Sequence, residues 1–203
     1  MRAWVVWSVA TLAYAVAILQ RTSFGVSSTE ASERFGAAPA TLAAFVVLQL
    51  VVYAGMQIPA GLLLDRFGSR RLIVSGALLM ALGQLTLALT ESLPLAIAGR
   101  VAVGSGDALT FVSVLRLVPA WFPVRRIPLV TQLTGMTGQL GQVLSAVPFL
   151  ALLHDSGWSS AYGSAAALGL FAALAVLATV RDAPPGRTAP HVTVRVAEIA
   201  SIL

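Results

Sequence analysis

The sequence predicts an all-α membrane protein, a bundle of six transmembrane helices, and three observations carry that prediction. Hydrophobic residues make up 58% and charged residues 10% of the 203 positions, which leaves too little polar material to coat a water-exposed surface. The apolar residues gather in six long blocks instead of the scattered stripes of a soluble core, with a mean hydropathy of +0.87. Short polar connections, most of them marked by Gly or Pro, separate the blocks, and none is long enough to form a separate domain.

A hydrocarbon core of about 30 Å needs about 20 helical residues. The first segment, 3–26, follows Met1 and Arg2 directly and in that respect looks like the start of a signal peptide. It runs beyond a typical signal core, no small-x-small cleavage site ends in a polar mature start, and five more apolar blocks follow, so an uncleaved helix is expected. The second segment, 40–64, is entered through Phe35-Gly36-Ala37-Ala38-Pro39, and the third, 71–89, follows Phe67-Gly68. The fourth spans 94–119. The fifth, 128–153, begins beyond Phe122-Pro123 and carries Gly135, Gly138 and Gly141 followed by Pro148, a spacing of small residues that suits close helix packing in lipid. The sixth, 158–180, follows Ser156-Gly157. Beyond Val180 the run Arg181-Asp182-Ala183-Pro184-Pro185-Gly186-Arg187 cannot continue a helix, so residues 1–182 are expected to form the six-helix domain and 183–203 a cytoplasmic linker or truncated tail. Residues 191–203 are too short and too charged to span.

A net charge of +5 raises the question of nucleic acid. All thirteen basic residues are Arg, and they stand singly or in pairs between apolar blocks, with no basic face to track phosphates, so no nucleic-acid partner is expected. The chain has no Cys and hence no disulfide or thiolate chemistry, and no metal or organic cofactor is indicated. Arg2, Arg66, Arg70, Arg71, Arg125, Arg126, Arg181, Arg187 and Arg195 fall on one side of the expected bilayer and Arg34 alone on the other, which places both termini in the cytoplasm of a multi-pass protein of the cell (plasma or inner) membrane. Trp4, Trp7, Trp121 and Trp158 lie near helix ends, where indoles suit the lipid–water boundary.

The most specific motif is Gly61-Leu-Leu-Leu-Asp65-Arg66-Phe-Gly68-Ser-Arg70-Arg71, between the second and third segments. Gly61 would allow close helix approach, Asp65 puts a carboxylate at the membrane edge where it needs a partner, Gly68 permits a tight turn, and the arginines fix sidedness. This motif resembles the signature of the major facilitator superfamily in its expected place. Arg100-Val-Ala-Val-Gly104-Ser-Gly106 is similar to that superfamily's R-x-x-x-G-x-G pattern. Gln20-Arg21-Thr22-Ser23-Phe24, Arg116 with Pro119-Ala-Trp121-Phe122-Pro123-Val-Arg125-Arg126, and Val180-Arg181-Asp182-Ala-Pro184 resemble its organophosphate and organic-anion branch. The resemblance implies the amino-terminal half of a transporter, two inverted repeats of three helices, working by alternating access on a small anionic or polar metabolite.

Within that reading Arg21, Arg100 and Asp107 are the candidate substrate-binding residues, and Gly61, Asp65, Arg66, Gly68, Arg70, Arg71 and Arg116 form the gating motif. An arginine inside an apolar helix is costly and faces protein, water or ligand, so Arg21 either holds an anion or snorkels to the headgroups. Arg100 and Asp107 are seven residues apart and share a helix face. Asp107 is then either a titratable carboxylate of the cavity or the structural partner of an Arg, the pairing being favoured. Arg116 should lie at the depth of Asp65, where the two could form an ion pair that breaks as the halves rock. Gln49, Gln57, Gln132, Gln139 and Gln142 are amides at membrane depth, lining a cavity or bonding between helices. The Gly-Pro pair frequent in the fifth helix of proton antiporters is replaced by Gly138-Gln139, which disfavours half of a drug/proton antiporter.

An enzyme is not expected. Gly104-Ser105-Gly106 lacks the first glycine of an intramembrane serine protease, His154 and His191 fall outside the apolar segments, and a dinucleotide site would need a preceding strand. The competing class is a six-helix membrane fragment or scaffold with no transport of its own. Transporters of this superfamily bind substrate between two six-helix halves. The expected partners are therefore the lipid bilayer, a small-molecule substrate, and a second half supplied in cis, by a separate chain or by a homodimer.

Overall fold

The computed structural model describes residues 2–184, so all but the start of the expected linker lies outside the described residues. It comprises α1 (Arg2–Val26), a short α2 (Ser28–Phe35), α3 (Pro39–Phe67), α4 (Ser69–Leu89), α5 (Leu93–Trp121), a 3-10 turn (Val124–Arg126), α6 (Ile127–Leu144), a π turn (Ser145–Phe149), α7 (Leu150–Ser156) and α8 (Trp158–Thr179). Five helical stretches are each long and apolar enough to cross a membrane, and the number reaches six when the bent pair Ser28–Phe35 and Ala40–Gly55 counts as one span. The protein is thus the all-α six-helix bundle that the apolar blocks predict, with boundaries within a few residues of expectation.

Local chemistry explains the ends. Pro39 and Pro128 sit in first turns, where the missing N–H costs nothing. Gly36, at φ 58°, closes α2 in the left-handed conformation. That helix was expected only as a connection because its sequence is polar; it is held by Glu30 in its first turn, Arg34 in its last, and a buried Ala31. In the fifth span Pro148 lies within the π turn, which absorbs its missing backbone donor and joins α6 to α7 as one long element.

The main helix contacts are α4 with α5 and α8, α3 with α5, and α1 with α5, α6 and α8. This pattern maps onto itself when the first three spans are exchanged for the last three: α1·α6 becomes α5·α3, α4·α5 becomes α8·α1, and α4·α8 returns to itself. Because each set has an odd number of spans, the two run in opposite directions across the bilayer, an inverted pair of three-helix repeats.

Glycines set the distances. A Cβ on Gly76 would come within 2.6 Å of the Gly106 carbonyl oxygen, and one on Gly83 within 2.6 Å of that of Gly99. Four glycines at seven-residue spacing thus bring α4 and α5 into backbone contact. Apolar clusters result, of which two are the largest. One joins Leu19, Phe24, Phe45, Leu87, Phe149 and Trp158; the other joins Val6, Tyr14, Ile73, Leu117 and Val176. On α5 the buried Arg100 and Asp107 fall between them, and on α1 the buried Gln20 and Ser23 lie beside the first.

Candidate functional site

The polar layer begins with Arg100, which is completely buried on α5. A cation there survives only if its donors are used. Its Nη2 donates to the Arg21 carbonyl oxygen at 2.8 Å and its Nη1 to that of Gln20 at 3.5 Å, and Nη2 also reaches Oε1 of Gln49 on α3. Its guanidinium carbon lies 4.9 Å from the Phe24 ring centroid. The Gln20 carbonyl oxygen accepts a second bond, from Gln84 Nε2 at 2.8 Å, and Gln20 Nε2 donates to the Ala165 carbonyl at 2.6 Å. Ser27 and Tyr162 share a 2.6 Å bond at the end of this layer. Arg100 therefore ties α1, α3 and α5 together from inside and is closed off from solvent.

Arg21 behaves differently. Its Nη1 meets Oδ2 of Asp107 at 3.1 Å, with 26% of the Arg21 side chain exposed and none of Asp107. Arg21 turns inward to α5 and does not snorkel, and its guanidinium carbon is 5.8 Å from the Tyr53 ring centroid. Asp107 pairs with Arg21, one helix away, and not with Arg100 on its own helix face; its Oδ1 has no partner. The exposed side of Arg21 lines an open cleft of ≈ 500 Å³ together with Thr22, Gln49, Leu50 and Gln142. Thr22 and Ser145 place their hydroxyl oxygens 2.6 Å apart, fixing α1 to the π turn at the cleft edge. Of the three candidate binding residues, then, Arg21 lines the cleft, Asp107 stands behind it, and Arg100 is enclosed.

At the other group of expected residues, Arg116 of α5 and Asp65 of α3 form an ion pair. Gly68 adopts φ 81°, as the turn requires, and a Cβ there would lie 2.9 Å from Oδ2 of Asp182. Asp182 accepts a 2.8 Å bond from the Arg70 backbone N–H at the start of α4, and Arg70 Nη2 caps the Leu177 carbonyl near the end of α8. Trp121 Nε1 donates to the Arg181 carbonyl at 2.9 Å. The loop after α3 and the end of α8 are thus one assembly. Arg66 lies over Phe67, its guanidinium carbon 5.3 Å from the ring centroid, and Arg71 is exposed.

Two expectations need correction. A Cβ on Gly61 would meet nothing within 4 Å, so the close approach expected there is not made among the described residues. Trp158 is no boundary indole: it is 8% exposed, stacks on Tyr162 at 4.2 Å and donates to the Leu87 carbonyl at 2.7 Å. That carbonyl belongs to the last turn of α4, which lacks helical partners, so a buried N–H is drawn to it. Gln84, Gly76, Gly83 and Gly99 have no local signature as a lone amide or glycines in apolar blocks, and Gly106 was visible only as part of the R-x-x-x-G-x-G stretch; the seven-residue spacing of the glycines was the available signal.

A multi-pass helical membrane protein with a charged, hydrogen-bonded layer inside and a polar cleft opening from it is the class these features define. The Major Facilitator Superfamily model matches residues 10–201, and the chain belongs to that family. It is 30% identical over 135 residues to human solute carrier family 2, facilitated glucose transporter member 12, covering 64% of this chain and 22% of that protein. It is 22% identical over 173 residues to a protein described as a probable sulfoacetate transporter from Cupriavidus necator, covering 85% of this chain and 40% of the relative. A protein described as a probable galactarate/D-glucarate transporter of Escherichia coli is 28% identical over 117 residues, 55% of this chain and 26% of that one. Among solved structures, a bacterial homologue of the human lysosomal transporter Spinster, inward-facing and unoccupied, superposes with a TM-score of 0.77 at 20% identity, over 93% of this chain and 45% of that one. A POT family transporter gives 0.68 at 16%, over 91% and 40%. The chain therefore spans less than half the length of these relatives.

Proposed function

We propose that the protein forms one half of a secondary active transporter that binds a small organic anion at Arg21 and moves it by alternating access against a second six-helix half. The observation that carries this is the cleft itself: a guanidinium anchored on one side by Asp107 and open on the other, beside the amides of Gln49 and Gln142. A pre-oriented arginine with free donors suits a carboxylate or sulfonate. The relatives described as sulfoacetate and galactarate/D-glucarate transporters support that substrate class. Anion arrival would compete with Asp107 for Arg21, which couples occupancy to the contact between α1 and α5. The Asp65–Arg116 pair lies at the end bearing Arg66, Arg70, Arg71, Arg125 and Arg126, the proposed cytoplasmic end, and would hold one state of the cycle. A maleimide that labels Arg125→Cys from outside intact cells would reverse that orientation.

The test is uptake of sulfoacetate, D-glucarate and D-glucose by the intact protein in proteoliposomes. Uptake of at least one of the two anions is expected, with Arg21→Lys lowering apparent affinity about tenfold, the equivalent of about 1.4 kcal/mol, because Lys keeps the charge but loses the planar fork. Uptake of glucose alone, or undiminished anion uptake by Arg21→Lys, would remove Arg21 from the substrate site.

A further inference from the structure

We infer that Gln49 is the second donor of the anion site, and that Arg100 and Gly104 are positioning residues acting through it. The assignment rests on the anion reading of the cleft and adds to it a residue on a third helix.

Gln49 is 1% exposed, yet it forms part of the cleft wall beside Arg21. Two features of α5 fix it there. A Cβ on Gly104 would come within 2.7 Å of the Gln49 carbonyl oxygen and 3.0 Å of its Cγ, so only a glycine lets α3 lie this close. Arg100 then bonds the side-chain amide. Arginine has donors and no acceptor, so the amide must turn its oxygen to Arg100 and its NH2 away. That NH2 has no partner. An unmade donor in a membrane interior is unfavourable, so this NH2 calls for a partner. Here the residue that carries the unmade donor lines the same cleft as a guanidinium held on a carboxylate. The pair of donors, one charged on α1 and one neutral on α3, would serve two oxygens of a single carboxylate or sulfonate group. Arg100 and Gly104, at the two ends of the R-x-x-x-G stretch, both serve this one amide.

Two variants separate the donor role from its alternatives. Gln49→Glu keeps an oxygen for Arg100 and loses the NH2; Gln49→Met loses both polar ends at nearly the same length. Calorimetric titration of sulfoacetate and D-glucarate into the intact protein in lipid nanodiscs should give a Kd raised at least tenfold in both variants for the anion the wild type binds, with thermal unfolding of Gln49→Glu no lower than that of the wild type. A loss confined to Gln49→Met would mean that Gln49 only satisfies Arg100. A loss confined to Gln49→Glu would mean charge repulsion without a missing donor. Either result, or no loss in either variant, overturns the assignment and leaves the anion cleft standing. A wild type that binds neither anion overturns both.

Discussion

Asp182 is the residue whose role was least visible in the chain and is plainest in space. Its carboxylate accepts from the Arg70 N–H across 112 residues of sequence, occupying a free donor of the first turn of α4. Gly68 makes room for it, since any Cβ there would press on the carboxylate. The capping bond is worth about 1 kcal/mol by analogy with helix N-caps. Asp182→Ala should therefore raise the hydrogen-exchange rate of the Arg70 amide about fivefold with little effect at the middle of α4. An unchanged rate would show that the loop is held by Arg70 Nη2 and the Leu177 carbonyl alone. In the sequence Gly68 and Arg70 stand in one motif and the Arg181-Asp182 pair in another. Nothing local joins them, because a contact between the start of one helix and the end of another leaves no periodicity.

At the level of elements the glycines divide according to what faces them. Gly135, Gly138 and Gly141 look equivalent along the fifth span, all three at a spacing that suits packing. In the structure Gly141 lies against α1, where an added Cβ would approach the Ala15 carbonyl carbon and the Ile18 Cβ to 3.0 Å; a Cβ on Gly138 would come within 2.7 Å of the Tyr14 ring, and one on Gly135 would meet nothing within 4 Å. Gly141→Ala should destabilise the bundle by about 1–3 kcal/mol through overpacking against backbone that cannot yield. Gly135→Ala should be neutral or slightly stabilising because it removes a flexible residue from a helix. Thermal unfolding in one detergent compares the two; equal effects would contradict the packing of α1 on α6. The spans themselves were legible because lipid demands about 20 apolar residues each time. Which glycines lie at an interface was not, since a glycine has no side chain to mark its side and both the protein-facing and the lipid-facing sides of these helices are largely apolar.

For the whole molecule the surface of α6 stands out, since with α3 it is the least buried of the spans. Only 28% of the apolar stretch in Val124–Ser156 is buried in the bundle, against 56% for α1 and α4 and 61% for α5. Gln132, Gly135, Gln139 and Gln142 are exposed and lie within a narrow arc of this helix. Amides pointing into hydrocarbon would leave several hydrogen-bonding groups unmet, which the bilayer penalises, whereas exposed leucines such as Leu82 on α4 are at home there. The arc also continues into the cleft through Gln142. This face should therefore border water or the proposed second half, with the lipid-facing surface elsewhere. The protein has no native Cys, so single spin labels can be placed cleanly at Gln139→Cys and Leu82→Cys. In bilayers the label at 139 should relax mainly with a water-soluble nickel complex and the label at 82 mainly with oxygen. Oxygen-dominated relaxation at both positions would place α6 against lipid and would count against a second half seated on this helix beside the Arg21 cleft.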